Sequence, residues 1–385
     1  MSISRMVYTG TSYFGEYARK EIAKEINKRH FTKALLVTDK DLMNCGVVQK
    51  IEEVLLANMT PYEIDDEVKP NPTIENVKQG LEIFRNSGSD FILAVGGGSV
   101  IDTAKAIAVV ATNPQNEDVV SLEGVNQSTN APIPLIAVPT TAGTGSETTM
   151  DYVITNTLEK RKMACMDSKV VPVAAIVDTE IMASLPLKLT AATAMDALTH
   201  AIESYLSLGA FSFSEMLSLK AVNLIADNFL KVIADPSDLA IRKELAIAQY
   251  MAGMSFTNVG LGIVHSMAHP LSAFYDIPHG VANALILPYV LEYNAEACSA
   301  KMIELAKAFD PAFSGDEKAS TKYCVERIRQ FNEAAGLPQV LSEIGVKEED
   351  YDALAESAYA DAATPDNPRK VSVEILKLLY QKMYQ

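Results

Sequence analysis

The chain has 385 residues, 48% of them hydrophobic and 21% charged, with a formal net charge of −16. This length favours two domains of about 150 residues each, and the composition is that of a globular protein. Such acidity repels phosphate backbones and argues against nucleic acid as a partner. No apolar run approaches the ~20 residues that cross a bilayer. The opening MSISRMVYTGTSYFGEY lacks the apolar core of a signal peptide. A cytoplasmic location without a membrane partner is therefore expected. Cys45, Cys165, Cys298 and Cys324 are scattered, with no C-x-x-C spacing, and read as free thiols in a reducing compartment.

In chain order, residues 1–185 alternate short apolar runs with charged, helix-compatible segments. The runs at 34–38 (ALLVT), 91–95 (FILAV), 134–138 (PLIAV) and 174–177 (AAIV) predict strands. Residues 16–29 and 73–85 predict helices between them. This alternation specifies βαβ units and a Rossmann-like parallel sheet. Past Pro186 the texture changes to Ala, Leu, Met, Glu and Lys with apolar spacing of three and four, which predicts an all-helical domain over 186–385.

The 91–95 strand runs into Gly96-Gly97-Gly98-Ser99 with Asp102 following. Ser99-x-x-Asp102 has the form of a capping box, with Asp where Glu or Gln is usual. Glycines let backbone N–H groups approach a ligand closely, and the new helix offers its N-terminal donors and dipole to a pyrophosphate. A tight strand-to-helix turn that binds nothing is the plainer alternative. The G-x-G-x-x-G pattern is absent, and the acidic candidate, Asp39, precedes the loop and ends an earlier strand. Facing an adenosine ribose, Asp39 would accept from the 2′-hydroxyl and repel a 2′-phosphate, favouring NAD; the alternative is that it caps the next helix. The loop Thr140-Thr141-Ala142-Gly143-Thr144-Gly145-Ser146-Glu147 follows another strand and is expected to line the same crevice.

Four of the five histidines lie between His200 and His279. Asp196-x-x-x-His200 and His265-x-x-x-His269 have i,i+4 spacing, which places both members on one helix face. With His279 they make a mixed imidazole and carboxylate set suited to Fe²⁺ or Zn²⁺. His265 and His279 would stand roughly 21 Å apart on a continuous helix. The chain must therefore turn back between them, and Pro270 and Pro278 offer the breaks. Five candidates exceed what an open catalytic site holds, so one is left for proton work; spacing does not say which. Between Glu244 and Ala300 there is no Lys or Arg, so the substrate is expected to be small and neutral.

On these motifs, together with Asp196-Ala-Leu-Thr-His200-Ala-Ile-Glu203, His265-Ser-Met-Ala-His269-Pro270 and Pro278-His279-Gly280, the chain resembles the iron-containing (group III) alcohol dehydrogenases along nearly its whole length. The resemblance implies a dinucleotide-binding α/β domain and an all-α metal-binding domain, the dehydroquinate synthase-like architecture, with a cleft between them. It assigns the metal, Fe²⁺ or alternatively Zn²⁺, to Asp196, His200, His265 and His279, and leaves His269 as a catalytic proton relay. It places NAD(H) on Asp39, Gly97, Gly98, Ser99, Thr140, Thr141, Thr144 and Lys162. It puts substrate near Asp151, Phe256 and Leu261, and implies a homodimer. Residues 250–294 look most like members that interconvert lactaldehyde and 1,2-propanediol. The alternatives are a 1,3-propanediol or general short-chain alcohol dehydrogenase and, more distantly, a lyase of the dehydroquinate synthase type. Asp151 and Ala363 stand where lactaldehyde-handling members carry Asn and Cys, which leaves the substrate open.

Overall fold

The structure is a computed structural model that describes residues 3–159 and 161–384. It divides into two compact units: Met6–Leu185, and residues from Pro186 onward together with residues 3–5.

The first unit is built on strands β1 (Ser12–Gly15), β2 (Ala34–Val37), β3 (Tyr62–Asp65), β4 (Phe91–Gly96), β6 (Leu135–Pro139) and β9 (Ala174–Asp178). They form one parallel sheet in the order β1-β9-β6-β4-β2-β3. A small second sheet, β5 (Gly124–Val125), β8 (Arg161–Met166) and β7 (Asp151–Asn156), contains the antiparallel β7–β8 pair. Helices α1 (Glu21–Arg29), α2 (Lys40–Asn44), α3 (Val47–Ala57), α4 (Ile74–Ser87) and α5 (Gly98–Thr112) connect the strands, and α6 (Thr179–Met182) follows β9.

Both faces of the large sheet are covered, which is why its central strands read as continuous apolar runs. Successive side chains point to opposite faces. Leu35, Val37, Ile92 and Ala94 join one core with residues of α4 and α5. Leu36, Leu93, Val95 and Ile136 join the other with residues of α1 and α3. After β2 the chain moves outward to β3, then crosses back to place β4 on the other side of β2. The loops after β2 and β4 therefore leave the sheet in opposite directions, and the gap at their carboxyl ends is the topological switch point where open α/β sheets take ligands.

The Ser99–Asp102 capping box does not form. Helix α5 begins at Gly98, with extended Gly97 as its N-cap and no side-chain cap. The half-buried Asp102 carboxylate instead accepts from the backbone N–H of Val153 at 3.0 Å, tying α5 to β7. Burial pushes that carboxyl up, against the opposing pull of Lys105.

The second unit contains helices and no strand among the described residues: α7 (Leu187–Leu206), α8 (Ser212–Ala234), α9 (Leu239–Val259), α10 (Ile263–Tyr275), α11 (His279–Asn294), α12 (Ser299–Phe309), α13 (Glu317–Ala334), α14 (Tyr351–Tyr359) and α15 (Val373–Lys382). The break expected at Pro270 is absent: this proline lies inside α10. Its missing N–H removes one backbone bond, and the helix continues because its buried face packs against α11 and α14. The reversal comes at Asp276, in the left-handed conformation at φ 54°, and Pro278 then leads into α11.

Candidate metal centre and dinucleotide loop

Asp196 and His200 sit one turn apart on α7, His265 on the first turn of α10, and His279 is the first residue of α11. One ligand atom from each lies within 4.8 Å of the others. Two glycines allow this convergence. A Cβ on Gly280 would come within 2.3 Å of the Ala192 carbonyl oxygen, so only glycine lets α11 start this close to α7. A Cβ on Gly262 would meet Glu203 Oε1 at 2.8 Å and Asn367 Oδ1 at 2.9 Å.

The surroundings order these side chains. Glu203, buried on α7, accepts from the backbone N–H of Val264 at 2.7 Å, and its Oε2 lies 2.5 Å from His265 Nδ1. The fully buried Asn283 donates through Nδ2 to Asp196 Oδ1 at 2.7 Å, and the same nitrogen is 3.2 Å from Nε2 of both His265 and His279. The partial positive charge of an amide thus stands where three ligand atoms converge. The His200 ring stacks on Phe256 and on His265, with centroids at 4.4 and 4.5 Å.

Burial pushes His265 down to about 4, with Asp196 pulling the other way, so the imidazole is neutral near pH 7, the form that ligates. Burial also pushes Glu203 up to about 8, only partly offset by the N–H groups of Val264 and His265. A divalent cation on Nε2 would reverse that preference, keeping the hydrogen on Nδ1 and the charge on Glu203. Three imidazoles, one carboxylate and a carboxylate behind a histidine fit a transition-metal site.

His269 lies outside the converging set. Its ring stacks on that of His279 with centroids 5.3 Å apart, and its Nδ1 is 2.7 Å from Asp361 Oδ2. Burial pushes the Asp361 carboxyl up, but the charge and hydrogen bond of His269 outweigh it, and the group sits below its ordinary range. Phe256, on α9, and Leu261, in the Gly260–Gly262 turn, are half-buried in this same unit.

In the α/β unit, Asp39 follows β2 and Gly97–Ser99 follow β4, both at the switch point. Asp39 is the N-cap of α2, its Oδ1 accepting from Leu42 N–H at 2.8 Å. The 140–147 loop packs on the glycine loop: a Cβ on Gly98 would lie 2.7 Å from Thr144 Cγ2, and one on Gly97 would lie 3.2 Å from Thr141 Cγ2. The Thr140 N–H donates to the Gly96 carbonyl at 3.0 Å. Lys162 lies on β8 opposite Thr155, and its charge favours the ionised form of Asp102. Asp151 opens β7, its backbone oxygen accepting from the buried Lys105 Nζ at 2.7 Å. Burial pushes Lys105 down to about 8.

The sequence motifs assign no role to Glu203, Asn283, Asp361 or Lys105. Glu203 follows His200 by three residues and Asn283 follows His279 by four, so helical spacing could have found both. Asp361 comes from a segment far along the chain, and no local spacing announces it.

A parallel α/β unit with a glycine loop at its switch point and a helical unit with three histidines and an aspartate around one point together describe a metal-dependent nicotinamide oxidoreductase. Residues 9–179 match the iron-containing alcohol dehydrogenases and residues 190–384 the C-terminal part of the Fe-containing alcohol dehydrogenase family, and the chain belongs to that family. Over 378 residues it is 43% identical to lactaldehyde reductase of Escherichia coli (strain K12), covering 98% of each chain. It is 38% identical over 376 residues to 1,3-propanediol dehydrogenase of Citrobacter freundii, covering 97% of each. A crystal structure of 1,3-propanediol oxidoreductase superposes with a TM-score of 0.97 at 37% identity, covering 100% of both chains. The protein is an iron-type alcohol dehydrogenase or aldehyde reductase, and membership of this family carries the use of a metal and NAD(H).

Proposed function

We propose that the protein reduces lactaldehyde to 1,2-propanediol with NADH and catalyses the reverse oxidation. The observation that carries the chemistry is the convergence of Asp196, His200, His265 and His279 within 4.8 Å, with His269 beside them and outside the set. We assign the metal to those four residues and take it to be Fe²⁺, with Zn²⁺ as the alternative. When bound, the metal supplies Lewis-acid polarisation of a carbonyl and the nicotinamide supplies hydride.

The chain's own residues do the rest. Gly97, Gly98 and Ser99, at the start of α5, receive the pyrophosphate on backbone N–H groups, with Thr140, Thr141, Thr144 and Lys162 completing the hold. Asp39 accepts from the adenosine ribose and excludes a 2′-phosphate. Asn283 and Glu203 hold Asp196 and His265 in orientation. His269 moves the proton that the alkoxide takes up in reduction and that the alcohol releases in oxidation. Phe256, stacked on His200, and Leu261 shape the helical unit's side of the metal set for a small neutral aldehyde. The resemblance also supports a cytoplasmic location and a homodimer, the latter tested by light scattering on the purified protein.

The substrate assignment is supported by the 43% identity to lactaldehyde reductase. A second reading, 1,3-propanediol, is favoured by the TM-score of 0.97 to 1,3-propanediol oxidoreductase. The test is NADH consumption by anaerobically Fe²⁺-loaded protein across lactaldehyde, glycolaldehyde, 3-hydroxypropanal and butanal. Fastest turnover of lactaldehyde supports the first reading. Preference for 3-hydroxypropanal moves the substrate and keeps the chemistry.

A further inference from the structure

We infer that Asp361 is the positioning residue for His269, and that the segment 361–367 acts as a strap fixing this imidazole's tautomer and plane. The inference rests on the reading that His269 does proton work. An imidazole can relay a proton only with one nitrogen committed and the other turned to the reacting group, and something must decide which is which. Here Asp361 Oδ2 lies 2.7 Å from Nδ1. The hydrogen of the neutral ring is thereby drawn to Nδ1, and Nε2 is left as the acceptor.

The carboxylate is itself immobilised. Its Oδ1 accepts from the backbone N–H of Ala363 at 2.9 Å and from the Ser266 hydroxyl at 3.4 Å. Ser266 lies three residues before His269 on α10, so the strap grips the helix on the same face as the ring it orients. The Thr364 hydroxyl lies 2.8 Å from Ser266 Oγ. At the far end, Asn367 Oδ1 accepts from the Ile263 N–H at 3.3 Å, and Asn367 and Asn294 exchange two amide hydrogen bonds of 2.9 Å each. The first two turns of α10 are thus braced at Ile263, Ser266 and His269 by one short segment, and its end is tied to α11. Ala363 contributes its backbone N–H to the device.

The test uses Zn²⁺-loaded holoenzyme labelled with ¹⁵N-histidine, with His269 assigned by comparison with His269→Asn. Long-range ¹H–¹⁵N spectra of the wild type should show His269 protonated at Nδ1 with Nε2 free. In Asp361→Ala the ring should become a mixture of tautomers or carry its hydrogen on Nε2. Turnover by Asp361→Ala and Asp361→Asn should fall about 10- to 100-fold, with KM within about twofold, metal content unchanged and partial recovery in Asp361→Glu. An unchanged tautomer in Asp361→Ala overturns the inference. So does a loss of turnover that tracks loss of metal or a proportionate rise in KM, since either assigns Asp361 to the scaffold. Full turnover by His269→Asn would remove the proton-work reading instead, and the tautomer result for Asp361 would still stand on its own.

Discussion

Asn283 is fully buried, its Nδ2 donating to Asp196 Oδ1 and lying 3.2 Å from Nε2 of both His265 and His279. Its removal leaves Asp196 Oδ1 without that donor and free to rotate. Asn283→Ala is expected to weaken metal retention by about 10- to 100-fold, as for other residues behind a metal ligand. Chelator competition read by metal content checks this; retention equal to wild type would reduce the amide to packing. Asp65 makes the opposite kind of statement, about stability. It is 2% exposed at the end of β3, and burial raises its carboxyl from 3.8 to about 6. The folded form therefore holds its proton where the unfolded chain has released it. Stability is fully present below about pH 4, falls as pH rises through 6, and is then lower by about 2–3 kcal/mol. Asp65→Asn should raise the urea midpoint at pH 8 relative to wild type and give little gain at pH 4.5; an equal gain at both would point to packing. Asp39 already caps α2 through Oδ1. Ser or Asn would keep that cap while removing the charge, so NADPH use should rise in Asp39→Ser with an unchanged melting temperature.

At the scale of elements, the start of α10 carries the tightest constraints. Gly260 has φ +79°, and a Cβ there would lie 2.0 Å from Asp366 Oδ2. Gly260→Ala is expected to cost about 2–3 kcal/mol, measured by denaturant unfolding of the metal-free protein; a cost under half of that would mean that the 361–367 strap yields. The sequence showed the central strands β2, β4, β6 and β9, because burial on both faces makes them continuously apolar. It did not show β1 or β3, whose four residues each include polar positions at the sheet edges. Nor did it show β7, where buried and half-buried positions alternate under residues such as Thr155. In the metal centre, i,i+4 spacing exposed the pairs on α7 and α10 because one helix face serves one point. Of the two prolines expected to break the chain between α10 and α11, Pro278 stands at the N-cap of α11, whereas Pro270 is absorbed into α10 and the left-handed Asp276 makes the turn. The partner of His269 was invisible because Asp361 reaches it through tertiary packing, and no period in the sequence records such a pair.

For the whole molecule, the residues assigned to the metal all lie after Pro186 and those assigned to the dinucleotide all lie before Leu185, on opposite sides of the division between the two compact units. Ligands that bind only the native state stabilise it by about 2.7 kcal/mol at a hundredfold excess over Kd. Zn²⁺ alone should therefore slow amide exchange most in α7, α10 and α11, and NAD⁺ alone most in the loops after β2 and β4. Protection by Zn²⁺ concentrated in the 96–99 loop would contradict the assignment. The division at Leu185–Pro186 has a genetic consequence. A single crossover there, between two members of this family, exchanges the residues assigned to the metal as one block and those assigned to the dinucleotide as another. A library of such crossovers is therefore expected to sort by parent in coenzyme preference and in metal identity independently.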